Sequence, residues 1–242
     1  MIVKVKRFNK HKSSDQYIQE FEVENSNALK VLFEIKQKID STFAFRSSCK
    51  SAICGSCAIR VNSVEKLACK TQLNENDLIE PLNNFKIIKD LIINLEKNET
   101  LIKKSNAFLE KYSKKMVTNE DIKQIDLQSN CISCQSCYSS CPVATVNKEF
   151  KGPTVLTKVY RYLEDKKENL IKNKLELIQL NGIWDCTLCG NCTIVCPQGI
   201  DSKDDILKLR MKSLQNGYSD LSNKNSFNFG FDDNFGFNPN GF

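Results

Sequence analysis

Two matching runs organise the second half of the chain: Cys131-Ile-Ser-Cys134-Gln-Ser-Cys137-Tyr-Ser-Ser-Cys141-Pro142 and Cys186-Thr-Leu-Cys189-Gly-Asn-Cys192-Thr-Ile-Val-Cys196-Pro197. Each spaces three cysteines evenly, adds a fourth slightly further on, and turns away at a proline. An amphipathic segment follows each run: 154–163 carries Val155, Leu156, Val159, Tyr160 and Leu163, and 204–214 carries Ile206, Leu207, Met211 and Leu214. These spacings predict helices. Gly152-Pro153 supplies a turn and a pre-set φ at the first helix start. This half therefore reads as an internally duplicated, all-helical unit.

The remaining cysteines, Cys49, Cys54, Cys57 and Cys69, form a third group, so none of the twelve in 242 residues stands outside a group of four. That is too sparse for a disulfide-dense scaffold, and Met1-Ile-Val-Lys-Val-Lys-Arg contains no apolar run resembling a signal peptide. A reducing compartment is expected, where clustered thiols hold metal. Cys49-x4-Cys54-x2-Cys57 has plant-type ferredoxin spacing, with Cys69 nearer than the usual fourth ligand, and predicts one [2Fe-2S] cluster. Gly55 frees the loop backbone for close approach. The two Cys-Pro runs follow the bacterial two-cluster pattern, in which the fourth cysteine ligates the other cluster. Cys131, Cys134, Cys137 and Cys196 are therefore expected around one [4Fe-4S] cluster, and Cys186, Cys189, Cys192 and Cys141 around a second. Zinc favours paired knuckles, whereas the first group has a single Cys-x2-Cys. A Rieske centre needs two histidines, and the chain has only His11.

The fold class expected is α+β: an N-terminal β-grasp [2Fe-2S] ferredoxin domain over 1–95, then an all-helical two-cluster domain over 96–215. In the first, 2–8 and 17–24 alternate as half-buried strands, and Asn27 caps a helix over 28–39 whose face is Ala28, Val31, Leu32, Ile35 and Ile39. Short extended pieces follow at 58–61 and 78–79, and 85–95 reads as a last strand. Residues 96–130 are expected to form a connecting helix and a loop. Within the low-complexity tail 216–242, residues 225–242 hold six Phe, five Asn and three Gly without a core-forming period.

The formal charge of +6 counts each cysteine as neutral. With each cluster and its thiolates at about −2, the loaded protein is near neutral, so no nucleic-acid partner is expected. No apolar stretch is long enough to span a membrane. Nothing near the cysteines resembles a catalytic acid, base or nucleophile, and three clusters in one chain suit single-electron transfer.

The chain resembles the iron–sulfur subunit of the succinate dehydrogenase/fumarate reductase family over about residues 1–215. The likeness rests on the cysteines, on Ser48-Cys-Lys-Ser-Ala-Ile-Cys-Gly-Ser-Cys57, Leu67-Ala68-Cys69 and Ile88-Lys89-Asp90-Leu91, and on Gly152-Pro153 through Tyr160-Arg161-Tyr162. The resemblance implies an electron-transfer subunit without substrate chemistry of its own. It further implies a flavoprotein partner with covalent FAD facing the [2Fe-2S] domain, a membrane anchor and quinone beside the helical domain, and a peripheral position on the cytoplasmic side of the inner membrane. In the ordinary family a non-cysteine stands at the position of Cys189 and the cluster there is [3Fe-4S]. Cys189 argues for [4Fe-4S], with [3Fe-4S] the alternative if this thiol is a bystander. Val146 and Thr187 stand where the family carries a quinone-side tryptophan and a histidine. These departures resemble the atypical branch with a cysteine-rich, heterodisulfide-reductase-like anchor. A thiol-dependent fumarate reductase or heterodisulfide-reductase-like complex is the alternative. Trp184, just before Cys186, is read either as a lid over that cluster or quinone, or as a core residue.

Overall fold

The computed structural model describes residues 1–9 and 15–220. His11 and the Asn/Phe/Gly tail fall outside the described residues. Strands β1 (Ile2–Arg7) and β2 (Tyr17–Glu22) pair antiparallel, placing Val3 opposite Phe21. Helix α1 (Ala28–Glu34) starts where the Asn27 side chain accepts from the Lys30 amide at 2.9 Å. It buries Ala28, Leu29, Val31 and Leu32 on the sheet. The helix does not continue regularly to 39. A π-turn over Ile35–Ile39 widens the last turn, and Ile39, expected on the buried face, is 51% exposed.

Strands β3 (Ala58–Val61), β4 (Val64–Leu67) and β5 (Leu78–Glu80) complete a sheet of order β2-β1-β5-β3-β4. β5 lies parallel to β1 and antiparallel to β3, the mixed arrangement of a β-grasp domain. Residues 85–95 are not one strand. They form a separate hairpin, β6 (Ile87–Lys89) and β7 (Ile92–Ile93), turned by Asp90 at φ +46°.

That turn ties the sheet to the first cysteine loop. By strand alternation Arg7 points inward with Val3 and Val5, and it is buried. Its guanidinium grips fully buried Asp90 through two bonds (2.7 and 3.3 Å) and reaches Asp40 at 3.0 Å and Gln19 at 2.8 Å. Burial alone would depress the Arg7 pKa, but these carboxylates hold it above its usual value. The Thr42 hydroxyl, with Arg7 assisting, holds Asp40 down to about 2 against the opposing effect of burial. Asp90 also accepts from the Ala44 amide at 2.9 Å, fixing the chain just before that loop.

The helical half begins with α2 (Glu96–Lys104) and α3 (Asn119–Ser129). Between them, fully buried Lys174 bonds the carbonyls of Asn106 and Phe108 and pairs with Glu168 and Glu110. The cysteine runs form the short helices α4 (Ser136–Ser139), α5 (Pro142–Val146) and, after α6 (Gly152–Leu163) and α7 (Ile171–Leu177), α8 (Asn191–Ile194). Helix α9 (Ser202–Gln215) packs on α6. The apolar face of α6 is buried as expected, but of the four apolar positions expected in α9 only Ile206 is: Leu207, Met211 and Leu214 are exposed, and Asp205, Leu209 and Ser213 face inward with Ile206. Gly152 opens α6 at φ +81°, where a Cβ would stand 2.3 Å from the Tyr138 ring. Here the glycine answers both to the backbone and to packing.

Two cores result, one between the sheet and α1 and one among α4, α6, α7 and α9. They are joined by a polar clamp. Asn84 donates to the carbonyls of Tyr138, Ser139 and Cys141 (3.0, 3.1 and 3.2 Å), while Ser139 donates to buried Glu65 at 2.7 Å. The β-rich domain thus holds the C-terminal end of the first Cys-Pro run.

Candidate functional site

In the first cysteine group the backbone turns its amides onto sulfur. Cys49 Sγ accepts from Ser51 (3.4 Å), Ile53 (3.3 Å) and Cys54 (3.3 Å), and Cys69 Sγ accepts from Ala52 at 3.2 Å. Lys50, Ala52 and Gly55 at positive φ make this possible, because left-handed residues interleaved along a tight loop point successive N–H groups inward. Such donors stabilise a negatively charged thiolate–sulfide core and tune its potential. Hydrogen bonds from Ser56 and the loop amides pull the Cys54 thiol down to about 6, whereas burial pushes Cys57 up to about 11.

The two Cys-Pro runs share one backbone design. Ser133 and Leu188 sit at φ +54° and +55°, and Gln135 and Gly190 at +69° and +84°, each pair at the same place in its run. The second pair starts helices α4 and α8. Cys131, Cys134, Cys137 and Cys196 line one cavity, together with Thr154 and Thr157. The fourth cysteine of the second run thus reaches the first run. In the opposite direction, Cys141 feels the charge of Cys186 and Cys189, and Cys192 that of Cys186, Cys141 and Cys189. Burial raises the pKa values of Cys134, Cys137, Cys141 and Cys186, and lifts Cys192 to about 12. Four thiolates become tolerable in such surroundings when metal compensates their charge. The donor set and loop geometry fit iron–sulfur clusters. Among the described residues no three His, Cys, Asp or Glu side chains converge on a single-ion site.

The quartet of Cys186, Cys189, Cys192 and Cys141 is uneven, with Cys141 and Cys192 buried and one side open. Cys189 and Thr187 are exposed, and Val146 is 87% and Ile194 81% exposed within a few residues of Cys141 and Cys192. Trp184 fits neither expectation in full. It is half-buried at the edge of the helical core, its Nε1 donates to Gln179 at 2.8 Å, and the Arg210 guanidinium lies 5.7 Å from its ring. Arg210, which nothing in the sequence singles out, donates to the carbonyls of Ile183, Trp184 and Cys186 and so fixes the approach to this quartet.

Asp205 is a second residue that the sequence does not single out. It is buried behind the cavity of the first cubane quartet and accepts from Gln128 at 2.8 Å. Burial pushes its carboxyl up to about 6 against the pull of Gln128, Thr157 and Lys208. A folded-state pKa raised above the unfolded value means that stability is lost as pH rises through the interval up to about 6. Asp205→Asn is therefore expected to stabilise the chain by about 2–3 kcal/mol at pH 7.5. The gain should grow between about pH 4 and 6 and then level off in denaturant titrations. A gain that does not vary with pH would contradict this account.

Fold and cysteine geometry together define a ferredoxin-type iron–sulfur protein with a β-grasp half and a two-cluster helical half. Residues 2–100 match the 2Fe-2S iron–sulfur cluster binding domain family, and residues 128–200 the 4Fe-4S dicluster domain family. The fumarate reductase iron–sulfur subunit of Haemophilus influenzae is 31% identical over 239 residues, covering 89% of this chain and 93% of that protein. The 8-methylmenaquinol:fumarate reductase iron–sulfur subunit of Wolinella succinogenes is 32% identical, covering 88% and 72%. The chain belongs to the succinate dehydrogenase/fumarate reductase iron–sulfur subunit family. It also matches an uncharacterised iron–sulfur protein of Methanococcus maripaludis at 35% identity over 201 residues, spanning 79% of this chain and only 40% of that longer protein. Among solved structures, a chain of the Mycobacterium smegmatis Sdh1 complex in the apo form shares the fold at TM-score 0.78 and 20% identity, covering 91% of this chain and 98% of that one. Among the described residues no helix is long and apolar enough to cross a membrane.

Proposed function

We propose that the chain relays single electrons within a succinate dehydrogenase/fumarate reductase-type complex. The relay runs between a flavoprotein subunit, whose covalent FAD interconverts succinate and fumarate, and a quinone-side membrane anchor or cysteine-rich subunit. In this reading Cys49, Cys54, Cys57 and Cys69 hold one [2Fe-2S] cluster, and Cys131, Cys134, Cys137 and Cys196 hold one [4Fe-4S] cluster. Cys186, Cys189, Cys192 and Cys141 hold a second, with [3Fe-4S] the alternative there. The chain is held at the cytoplasmic face of the inner membrane through its partners.

Bound clusters supply reversible one-electron chemistry. The chain's own residues position and insulate them. Asp90 anchors the start of the first loop, the loop amides direct positive dipoles at sulfur, and Asn84 and Arg210 tie down the backbone beside Cys141 and Cys186. What supports the reading is that the first cysteine loop adjoins the second group and the second adjoins the third. The first loop packs against Cys134, and Cys137 and Cys141, which belong to different quartets, flank the end of one short helix. The Wolinella relative, by its name, connects a quinol with fumarate.

The test is redox titration of the loaded protein purified with its partners. Succinate should reduce the clusters through the flavoprotein, and fumarate should reoxidise them. Clusters that hold iron and sulfide yet respond to neither would overturn the proposal. In a second reading the relay serves a thiol-dependent or heterodisulfide-reductase-like module, and the Methanococcus relative, of which this chain spans 40%, is long enough to carry a further module. Reoxidation by a disulfide in place of a quinone would select it.

A further inference from the structure

We infer that Gly55 is a positioning residue between two cluster sites: its missing side chain lets the [2Fe-2S] loop close onto Cys134 of the first cubane quartet. This rests on the relay proposed above. A Cβ built on Gly55 would stand 2.9 Å from Cys134 Cβ, 2.9 Å from the Ile132 carbonyl oxygen and 3.0 Å from Cys134 Cα. Real Cβ atoms do not approach so closely, and two of these three neighbours are backbone atoms that cannot swing aside. Ile132 and Cys134 pack against the core of the β-rich domain, so relief would mean parting the two halves.

Backbone conformation alone does not explain the glycine. Gly55 lies at φ +70°, but Lys50 and Ala52 in the same loop lie at +61° and +59°, and Gln135 lies at +69° in the facing run. This protein therefore places ordinary residues in left-handed geometry at neighbouring positions. What distinguishes position 55 is the obstacle in front of it. A second touch lies close by, where Gln198, two residues beyond Cys196, donates to the Ala52 carbonyl at 3.5 Å. The loop therefore meets the first cubane quartet on both the Cys134 and the Cys196 sides. Since tunnelling falls exponentially with separation, a side chain at position 55 pressing on Cys134 acts on transfer by moving the two sites apart, while every ligand of both is retained.

The test uses the full chain carrying its clusters, with Gly55→Ala and Gly55→Asn, the latter because asparagine tolerates left-handed backbone. The first readout is microwave power saturation of the reduced [2Fe-2S] EPR signal, whose relaxation is enhanced by a nearby reduced cubane. The second is the rate at which an electron delivered by flash photoreduction redistributes between the clusters. Both variants should keep the [2Fe-2S] absorption, lose much of the relaxation enhancement and redistribute electrons several-fold more slowly, Asn more than Ala. Unchanged enhancement in both would overturn the inference. So would loss of the [2Fe-2S] cluster itself, because the glycine would then serve its own loop. No enhancement in the unsubstituted protein would instead sink the relay reading.

Discussion

Asp90→Ala is expected to lower stability by about 3–5 kcal/mol, because it leaves the buried Arg7 guanidinium without its two-pronged partner. Asp40 and Gln19 still face Arg7, but Asp40 is itself engaged by Thr42 and neither replaces a bidentate carboxylate. The rings of Phe21 and Phe43 lie 5.9 and 4.9 Å from the guanidinium, and offer a cation far less than a carboxylate does. The substitution also orphans the Ala44 amide at the start of the first loop. Loss of [2Fe-2S] absorption should therefore precede loss of the cubane signals during denaturant unfolding. Replacing both partners, as Arg7→Met with Asp90→Leu, removes the uncompensated charge and should recover part of the stability. A single variant within about 1 kcal/mol of the parent would show that the pair is dispensable.

Asp90 also marks where the sequence stops being legible. Residues 85–95 are apolar and β-branched enough to suggest one strand, and the one turn signal among them is Asp90, a residue type that tolerates left-handed backbone. The turn forms because Asp90 is worth more facing Arg7 than extending a ladder. β4 escapes the sequence pattern for a different reason, although a signal exists: Asn62 and Ser63, at φ +50° and +67°, make the two-residue turn that joins β3 to β4. In α9 hydrophobicity alone assigns the apolar residues to the core. The inner face instead combines Ile206 and Leu209 with Asp205 and Ser213, which have polar partners on neighbouring segments. The cysteine loops are legible because spacing dictates local backbone shape, and left-handed residues recur at matching points of both runs. Asn84, Arg210 and the closeness of Gly55 to Cys134 are not legible, since each is a contact between segments that only the folded chain brings together. The two-domain order comes from the runs themselves, because a β-grasp pattern and a duplicated helical pattern do not share a period.

Cys196→Ala is expected to remove the cubane of the first Cys-Pro run, not that of its own run. Cys196 shares a cavity with Cys131, Cys134 and Cys137, while Cys141 lies among Cys186, Cys189 and Cys192. Because the first run also faces Gly55, the variant should abolish the relaxation enhancement of the [2Fe-2S] signal, and Cys141→Ala should leave it in place. Without crossed ligation the two outcomes would exchange. Either loss should destabilise the helical half by on the order of several kcal/mol, since metal-binding energy is folding energy there. Helices α4, α5 and α8 span only four or five residues each, below the length at which a helix sustains itself. Cys189→Ser is the milder member of the series. Its target is exposed, so the variant should convert the outer cluster to [3Fe-4S] and leave the [2Fe-2S] signal unchanged. An intense [3Fe-4S] signal already present in the oxidised parent would mean that Cys189 is no ligand, and the exposed thiol would then belong to the surface that partners meet.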